Sequence, residues 1–223
     1  MESSILLGKL RRKVNQDCKN LEELTRLVEN FFHLECGHRE ELVAKELEGV
    51  TDEFDAAFIA ACHAEDVFQV QSDFPRVQRY ALFVSMMSML EANVVGLCRA
   101  AHNIFEIQTE FNARGSGVVS RGVEYLKTEV NINTSRFPSY IKLAQNLNFL
   151  RNCITHAEGS LEGRDDAQAI EAFINTNPTL ELDQQNRLIL LKGFVENSTH
   201  TMHTYVNRLH DAVKERSDTQ QDL

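Results

Sequence analysis

The stretch FPRVQRYALFVSMMSMLEANVVGLCR, residues 74–99, decides the fold, because it contains the most apolar window of the sequence. Proline suits a first helical turn, so Pro75 predicts the start of a helix that continues to about Asn103. One face of this helix is apolar at every third or fourth residue, which predicts the backbone of a protein core. That face consists of Tyr80, Val84, Met87, Glu91, Val94, Cys98 and Ala101.

Polar residues interrupt this window, among them Glu91, and they favour a core helix over a membrane span, so no membrane partner is expected. A carboxylate in an apolar face costs free energy unless it is paired. Glu91 could reach solvent, or bond a neighbouring helix, from the margin of the face. It could equally orient a basic residue of a functional site, such as Arg151.

Apolar spacing predicts three helices before this stretch. The first covers residues 3–35 and ends at Gly37, the second covers residues 39–47, and the third covers residues 52–71. A break at residues 73–75 is expected to separate the third helix from the core helix. The inward face of the third helix is predicted to hold Phe54, Phe58, Ala61 and Phe68.

The second half of the chain is also predicted to be mainly helical. The expected helices are 118–129, 139–158 (ended by Gly159 and Gly163), 167–175 and 191–214. Apolar and polar residues alternate in TLEL and RLIL, which predicts a short β-hairpin within residues 179–190, although the same residues could form an early helical turn. The pattern therefore indicates an all-α protein with at most one small hairpin.

Composition narrows the class of protein. The five cysteines are scattered and form no CxxC pair, which argues against a disulfide framework and for a cytoplasmic protein. The net charge of −10 disfavours binding to nucleic acid, because a uniformly acidic surface repels phosphate. Residues 99–151 nevertheless carry seven basic and four acidic side chains, which is either a local basic surface or a chance fluctuation.

The chemistry concentrates in NFLRNCITHAEG, residues 148–159. Each helical residue turns by about 100°, so Asn152 and His156 share one face and lie roughly 150° or more from the apolar side of their helix. Arg151 lies on the flank between the two. A histidine, an amide and a guanidinium in such proximity suit anion recognition and proton transfer, although many helices carry this spacing by chance.

An arginine, a polar residue, three further residues and a histidine near a helix end resemble the motif of HEPN domains (higher eukaryotes and prokaryotes nucleotide-binding). Here the motif reads Arg151, Asn152, Cys153, Ile154, Thr155 and His156. The long helix with Glu91, the stretch GVEYLK, and the terminal hairpin and helix follow in the order seen in bacterial HEPN-like toxins and defence ribonucleases of the RiboL-PSP-HEPN type. The resemblance covers about residues 72–213 and implies an up-and-down helical bundle of HEPN type.

The resemblance implies a metal-independent endoribonuclease with no cofactor, acting in toxin–antitoxin or antiviral defence systems. It implies RNA as substrate, a homodimer with a composite site, and an antitoxin or defence-system protein as a further partner. His156 would be the general acid or base, Arg151 would bind the scissile phosphate, and Asn152 would help to position it. Some HEPN toxins carry a modified tyrosine two residues after the histidine. Glu158 stands at that position here, so this modification is not expected.

The alternative is a non-catalytic HEPN-like module that binds RNA, a nucleotide or a protein partner. In either case the expected domains are an N-terminal helical arm (residues 1–71), a HEPN-like helical domain (residues 72–216) and a frayed tail (residues 217–223). No metal site is expected. The groups His33, Cys36, His38 and His200, His203, His210 are predicted to be a helix end and surface histidines, respectively.

Overall fold

The computed structural model describes the backbone of residues 2–221 and the side chains of residues 5–220. The described chain forms seven α-helices, one π-helical turn, one 3-10 turn and two short strands. The helices are α1 (Glu2–Leu47), α2 (Glu53–Phe68), α3 (Phe74–Ile104), α4 (Val118–Thr128), α5 (Pro138–Ala157), α6 (Ala167–Ile174) and α7 (Phe194–Gln221). The strands are β1 (Leu180–Leu182) and β2 (Leu188–Leu190), the π-helical turn is Gln69–Asp73, and the 3-10 turn is Thr134–Arg136.

Helix α3 lies at the centre of the fold and packs against α1, α4, α5 and α7. Its buried side chains lie on more than one side of the helix, which is typical of a helix enclosed by neighbours. The most deeply buried are Phe83, Met86, Met87, Val94, Leu97, Cys98 and Ala101. The predicted core helix is therefore confirmed, and helices account for 76% of the protein, which confirms the all-α class.

Helix α1 is a single helix of 46 residues, so the predicted end at Gly37 is wrong. A glycine inside a helix costs only about 1 kcal/mol relative to alanine. The helix continues because residues on both sides of Gly37 pack: Arg39 bonds Glu35 within the helix at 3.0 Å, and α2 lies against the end of α1. The first half of α1 places Leu7, Val14, Cys18 and Leu21 in the same core as α3.

The predicted break at residues 73–75 is also absent. Helix α2, the π-helical turn and α3 form one continuous helix, Glu53–Ile104. Proline lacks the N–H group that the helical ladder needs, and its ring crowds the preceding turn. The wider turn before Pro75 accommodates it, since the Phe74 N–H bonds the Gln69 carbonyl, five residues earlier.

The apolar face predicted to point inward from α2 points outward instead. The exposed fractions of Phe54, Phe58 and Phe68 are 79%, 64% and 57%, and Ala61 is exposed as well. Periodicity identified the apolar side of this helix, but the spacing does not tell whether that side meets a core. No described side chain of α2 is buried.

The predicted β-hairpin is confirmed. Strands β1 and β2 are antiparallel with Leu180 opposite Leu190 and Leu182 opposite Leu188. The segment after α5 joins the hairpin through a bridge between Ser160 and Arg187. Helix α7 runs to Gln221, so residues 217–221 are helical where a frayed tail was expected, and residues 222 and 223 lie outside the described part of the chain.

A nearly buried ion pair connects three of these elements. The Arg79 guanidinium on α3 donates to both oxygens of Glu29 on α1, at 2.6 and 2.7 Å, and to the Leu190 carbonyl of β2 at 3.1 Å. Removing one partner of such a pair typically costs several kcal/mol, because a charge is then left buried and unpaired. The pair therefore fixes the position of α1 and the hairpin on α3.

The helix Glu53–Ile104 contains a window long and apolar enough to cross a membrane by length and composition. Of this window, 44% is buried inside the fold. The core helix of a soluble protein passes the same test, and the packing of α3 against four helices is the arrangement of a core helix.

Candidate functional site

Helix α5 places the three motif residues on its outer side. The buried side of the helix consists of Ala144, Leu147, Leu150, Cys153 and Ile154. His156 is exposed, as its rotation from the apolar face predicted, whereas Arg151 and Asn152 are half-buried. The imidazole is therefore free to meet a ligand, while the arginine and the amide are held against the protein.

The Arg151 side chain is oriented by two neighbours. Its Nη2 lies 3.8 Å from Oε2 of Glu91 on α3, and its Nη1 donates to Oδ1 of Asn152 at 3.0 Å. The side chains of Arg151 and Glu91 are 27% and 21% exposed, so solvent screens their attraction only in part. Of the two alternatives for Glu91, the structure contains the contact with a neighbouring helix, and the group that Glu91 meets there is Arg151, at an ion-pair distance without a hydrogen bond.

The end of α5 is fixed by a tight contact that only glycine permits. Glu158 and Gly159 both have positive φ, 49° and 86°. A Cβ on Gly159 would overlap the hydroxyl of Tyr80 on α3. That hydroxyl donates to the Leu188 carbonyl, and the Leu188 N–H donates to the Gly159 carbonyl at 2.8 Å. The turn that follows His156 is thus attached to both α3 and the hairpin.

The cysteine within the motif is unsuited to nucleophilic chemistry. Cys153 is fully buried, and its Sγ lies 3.3 Å from the Ser160 carbonyl. Burial raises the pKa of the Cys153 thiol, with Asp166 adding to the rise and Arg164 opposing it. Because the thiolate is the reactive form, the chemistry available on this face belongs to His156, Arg151 and Asn152.

One further group of polar residues was missed in the sequence. A polar cavity of about 300 Å³ lies at the end of α3, and His102 Nδ1 is buried there without a hydrogen-bond partner. The cavity is lined by Arg99, His102, Asn103, Glu110 and Phe111. The spacing of Arg99, His102 and Asn103 on one helix was the available signal, but it is short and common. A larger cavity, of about 390 Å³, lies between the π-helical turn and the hairpin and contains none of the motif residues.

The other candidate ligand groups do not form a metal site. Among the described residues, no group of three or more His, Cys, Asp or Glu side chains could hold a metal ion. His33, Cys36 and His38 lie within the uninterrupted helix α1, so they do not mark a helix end. His200 and His203 are not buried, but His210 is only 3% exposed, so its prediction as a surface histidine is wrong.

No protein-family model, no curated protein and no solved structure matches this chain. The class of site that they define is an exposed histidine beside an anchored arginine and amide. This combination suits binding of a phosphate group and transfer of a proton next to it.

Proposed function

We propose that this protein is a metal-independent endoribonuclease of HEPN type, acting in the cytoplasm as a toxin or phage-defence effector. The observation that supports it best is the combination of an exposed His156 with an Arg151 oriented by Glu91 and Asn152. An RNA phosphodiester requires both functions: a cation at the phosphate, and a group that moves protons at the two oxygens that react.

The proposed reaction is transesterification at the scissile phosphate. The RNA 2′-oxygen attacks phosphorus, a neutral imidazole accepts the proton of that hydroxyl, and the bond to the 5′-oxygen breaks. A protonated imidazole supplies a proton to the leaving 5′-oxygen, and a 2′,3′-cyclic phosphate remains. Arg151 neutralises the phosphate oxygens as charge develops there, and Asn152 orients them.

The proposed reaction uses a neutral and a protonated imidazole together, and each chain supplies one motif histidine. We therefore propose that two copies bring their α5 helices together to form a composite site. Every large apolar side chain in the described part of the chain that is highly exposed lies within residues 5–77, and none lies on α5. The proposed dimer contact is accordingly polar, and we expect it to weaken as salt concentration rises.

The decisive experiment is cleavage of a labelled RNA by purified protein in the presence of EDTA. We expect cleavage by the unaltered protein and loss of at least about 100-fold in His156→Ala, the usual minimum effect of removing a general acid or base. His200→Ala is the matched control, because the side chain of His200 is 76% exposed on a different helix. Equal cleavage by the His156→Ala variant would rule out the catalytic assignment.

Dimerisation is tested by the rate per chain, which should rise with protein concentration and fall with salt. A rate per chain that is independent of concentration, with a monomer by light scattering, contradicts the composite site. In cells, growth arrest upon expression that is relieved by His156→Ala supports a toxin or defence effector. Relief by His200→Ala as well would contradict that role.

The second candidate is a module that binds RNA or a nucleotide without cleaving it. The polar cavity lined by Arg99 and Asn103 favours this candidate, since a guanidinium and an amide suit a phosphate or a base edge. It predicts nucleotide binding without cleavage, weakened by Arg99→Ala more than by His156→Ala. Cleavage that depends on His156 with unaltered binding in Arg99→Ala excludes it.

A further inference from the structure

Helix α2 carries an aromatic face that nothing in the described chain covers. Its inner side is half-buried against α1, where His63 Nε2 lies 2.9 Å from Oε2 of Glu46. Its outer side exposes Phe54, Phe58 and Phe68, each by more than half of the surface of the residue. Soluble proteins rarely leave several large aromatic side chains exposed along one side of a helix, and such surfaces usually mark an interaction site.

The charge of the surrounding segment is extreme. Residues 20–66, the second half of α1 together with α2, contain 13 acidic and 3 basic side chains, a net charge of −10. The remaining residues contain 20 acidic and 20 basic side chains, so this segment carries the whole net charge of the protein. Helix α2 itself has no basic residue except His63, and its acids are Glu53, Asp55, Glu65 and Asp66.

This charge decides between the possible occupants. A second copy of the chain would bring one segment of charge −10 against another, and like charges at a contact cost several kcal/mol. RNA and anionic lipid headgroups are repelled for the same reason. A partner with Lys or Arg side chains is attracted, and these cations also bind to the faces of aromatic rings.

The geometry indicates the shape of the partner. Phe54 and Phe68 lie about 21 Å apart along the helix axis, at about 1.5 Å per residue. Phe58, Ala61 and Glu65 lie between them at spacings of three and four residues, so they form one straight ridge. A straight ridge of this length fits a second α-helix lying alongside it, packed by its own apolar side.

We propose that the outer face of α2 binds a basic amphipathic α-helix of a partner protein. The apolar side of the partner helix covers Phe54, Phe58 and Phe68, and its Lys or Arg side chains pair with the acids of α2. Two of these acids are partly engaged already: Asp66 lies 3.5 Å from Arg39, and Glu65, within the ridge itself, accepts from the Gln69 amide at 3.4 Å. This surface lies on a different helix from Arg151 and His156, so the proposal does not depend on ribonuclease activity.

The test uses the full chain and two labelled synthetic peptides of about 18 residues, long enough to span α2. One peptide is an amphipathic Leu/Lys helix, and the other has every Lys replaced by Glu. We expect the Leu/Lys peptide to bind and the Leu/Glu peptide to bind at least 10-fold more weakly. Phe58→Ser should weaken binding of the Leu/Lys peptide by 10-fold or more.

Phe31→Ser is the matched control, because Phe31 is 60% exposed on α1, within the same acidic segment, whereas Phe58 is 64% exposed on α2. It should change the affinity less than twofold. The proposal is overturned if the two variants weaken peptide binding equally, or if neither variant weakens it. If Phe58→Ser lowers the helical content, Phe54→Ser replaces it as the test variant, with the same expected loss.

Two other occupants are measured in parallel. Light scattering of the free protein reports self-association, and sedimentation with zwitterionic lipid vesicles reports membrane binding. A dimer or a vesicle complex that Phe58→Ser abolishes and Phe31→Ser does not would assign the face to a second copy or to lipid. Either outcome overturns the proposal of a basic helical partner.

Discussion

Arg151 on α5 and Glu91 on α3 lie 3.8 Å apart, although they are 60 residues apart in the sequence. The contact connects the motif helix to the central helix of the core. It also gives Arg151 a negative neighbour that competes with a phosphate for the guanidinium. Glu91 is thus expected to have two opposite effects on a substrate, and they can be separated experimentally.

Under the proposed ribonuclease function, Glu91→Gln should bind RNA more tightly and cleave it more slowly. Loss of the competing negative charge favours phosphate at Arg151, and we expect a few-fold lower dissociation constant. Loss of the ion pair leaves the guanidinium less well oriented, and we expect roughly a 10-fold lower turnover. Binding and single-turnover cleavage measure the two effects separately. Glu124→Gln, an exposed glutamate paired with Lys127 on α4, should change neither quantity, and an equal effect of both variants would contradict the positioning role.

Gly159→Ala should destabilise the protein more than Gly163→Ala. Both glycines have positive φ, 86° and 68°, and alanine in that conformation costs about 1–2 kcal/mol. Only at Gly159 does the added Cβ also overlap the Tyr80 hydroxyl, whereas nothing lies within 4 Å of the Cβ position at Gly163. We expect the difference between the variants to exceed about 1 kcal/mol in urea unfolding. Equal losses would mean that Tyr80 does not constrain the end of α5.

Gly37→Ala should stabilise the protein by about 0.5–1 kcal/mol, because Gly37 lies in the interior of α1 and an added Cβ meets nothing within 4 Å. Gly49→Ala is the contrast. That site is equally open, but its φ is +82°, so alanine should destabilise the protein. Thermal or urea unfolding of the two variants gives the signs. A loss of stability in Gly37→Ala would contradict a continuous helix at that position.

The buried His210 should make the protein sensitive to mild acid. Burial lowers the pKa of His210 to about 4, with Arg11 of α1 adding to the shift and Asp211 opposing it; the ordinary value, which applies to the unfolded chain, is 6.5. Between pH 6.5 and 4 the unfolded chain therefore binds a proton at His210 that the folded protein does not bind. The free energy of unfolding is therefore unaffected by this group above pH 6.5. It falls by about 3 kcal/mol in total as the pH drops from 6.5 towards 4.

His210→Leu should remove this part of the pH dependence. Neither ring nitrogen of His210 has a hydrogen-bond partner, so leucine should be tolerated at neutral pH. Urea unfolding of both proteins between pH 7.5 and 4.5 is the measurement. His200→Leu, at an exposed histidine, should retain the original slope, and a parallel slope in His210→Leu would show that other groups cause it.

The elements predicted well from the sequence are those whose signals are local. The helix with the motif ends at the turn in which Gly159 adopts a positive φ, a conformation that glycine permits. The hairpin follows the alternation of apolar residues around Asp183 and Asn186. The outward direction of His156 followed from the rotation of its helix alone. These features depend on spacing within one element, which the sequence contains directly.

The features that were predicted wrongly depend on contacts between elements. Gly37 is an ordinary signal for a helix end and Pro75 for a new helix start, but packing extends α1 past Gly37, and a widened turn accommodates Pro75 within one helix. The apolar side of α2 was assigned to the core, because spacing reveals a face and not its neighbour. The proximity of Glu91 and Arg151 was one of two alternatives, since no local pattern relates residues on separate helices.

The contact between Arg11 and Asp211, at 2.6 Å, closes the fold between its first and its last helix. During synthesis α1 leaves the ribosome well before α7. Until α7 follows, the apolar side chains of α1 that share its core, among them Leu7, Val14 and Cys18, stay exposed to water. Exposed apolar surface of this kind promotes aggregation. The core is therefore expected to close only after α7 has been synthesised, and the yield of folded protein in cells should depend on chaperones.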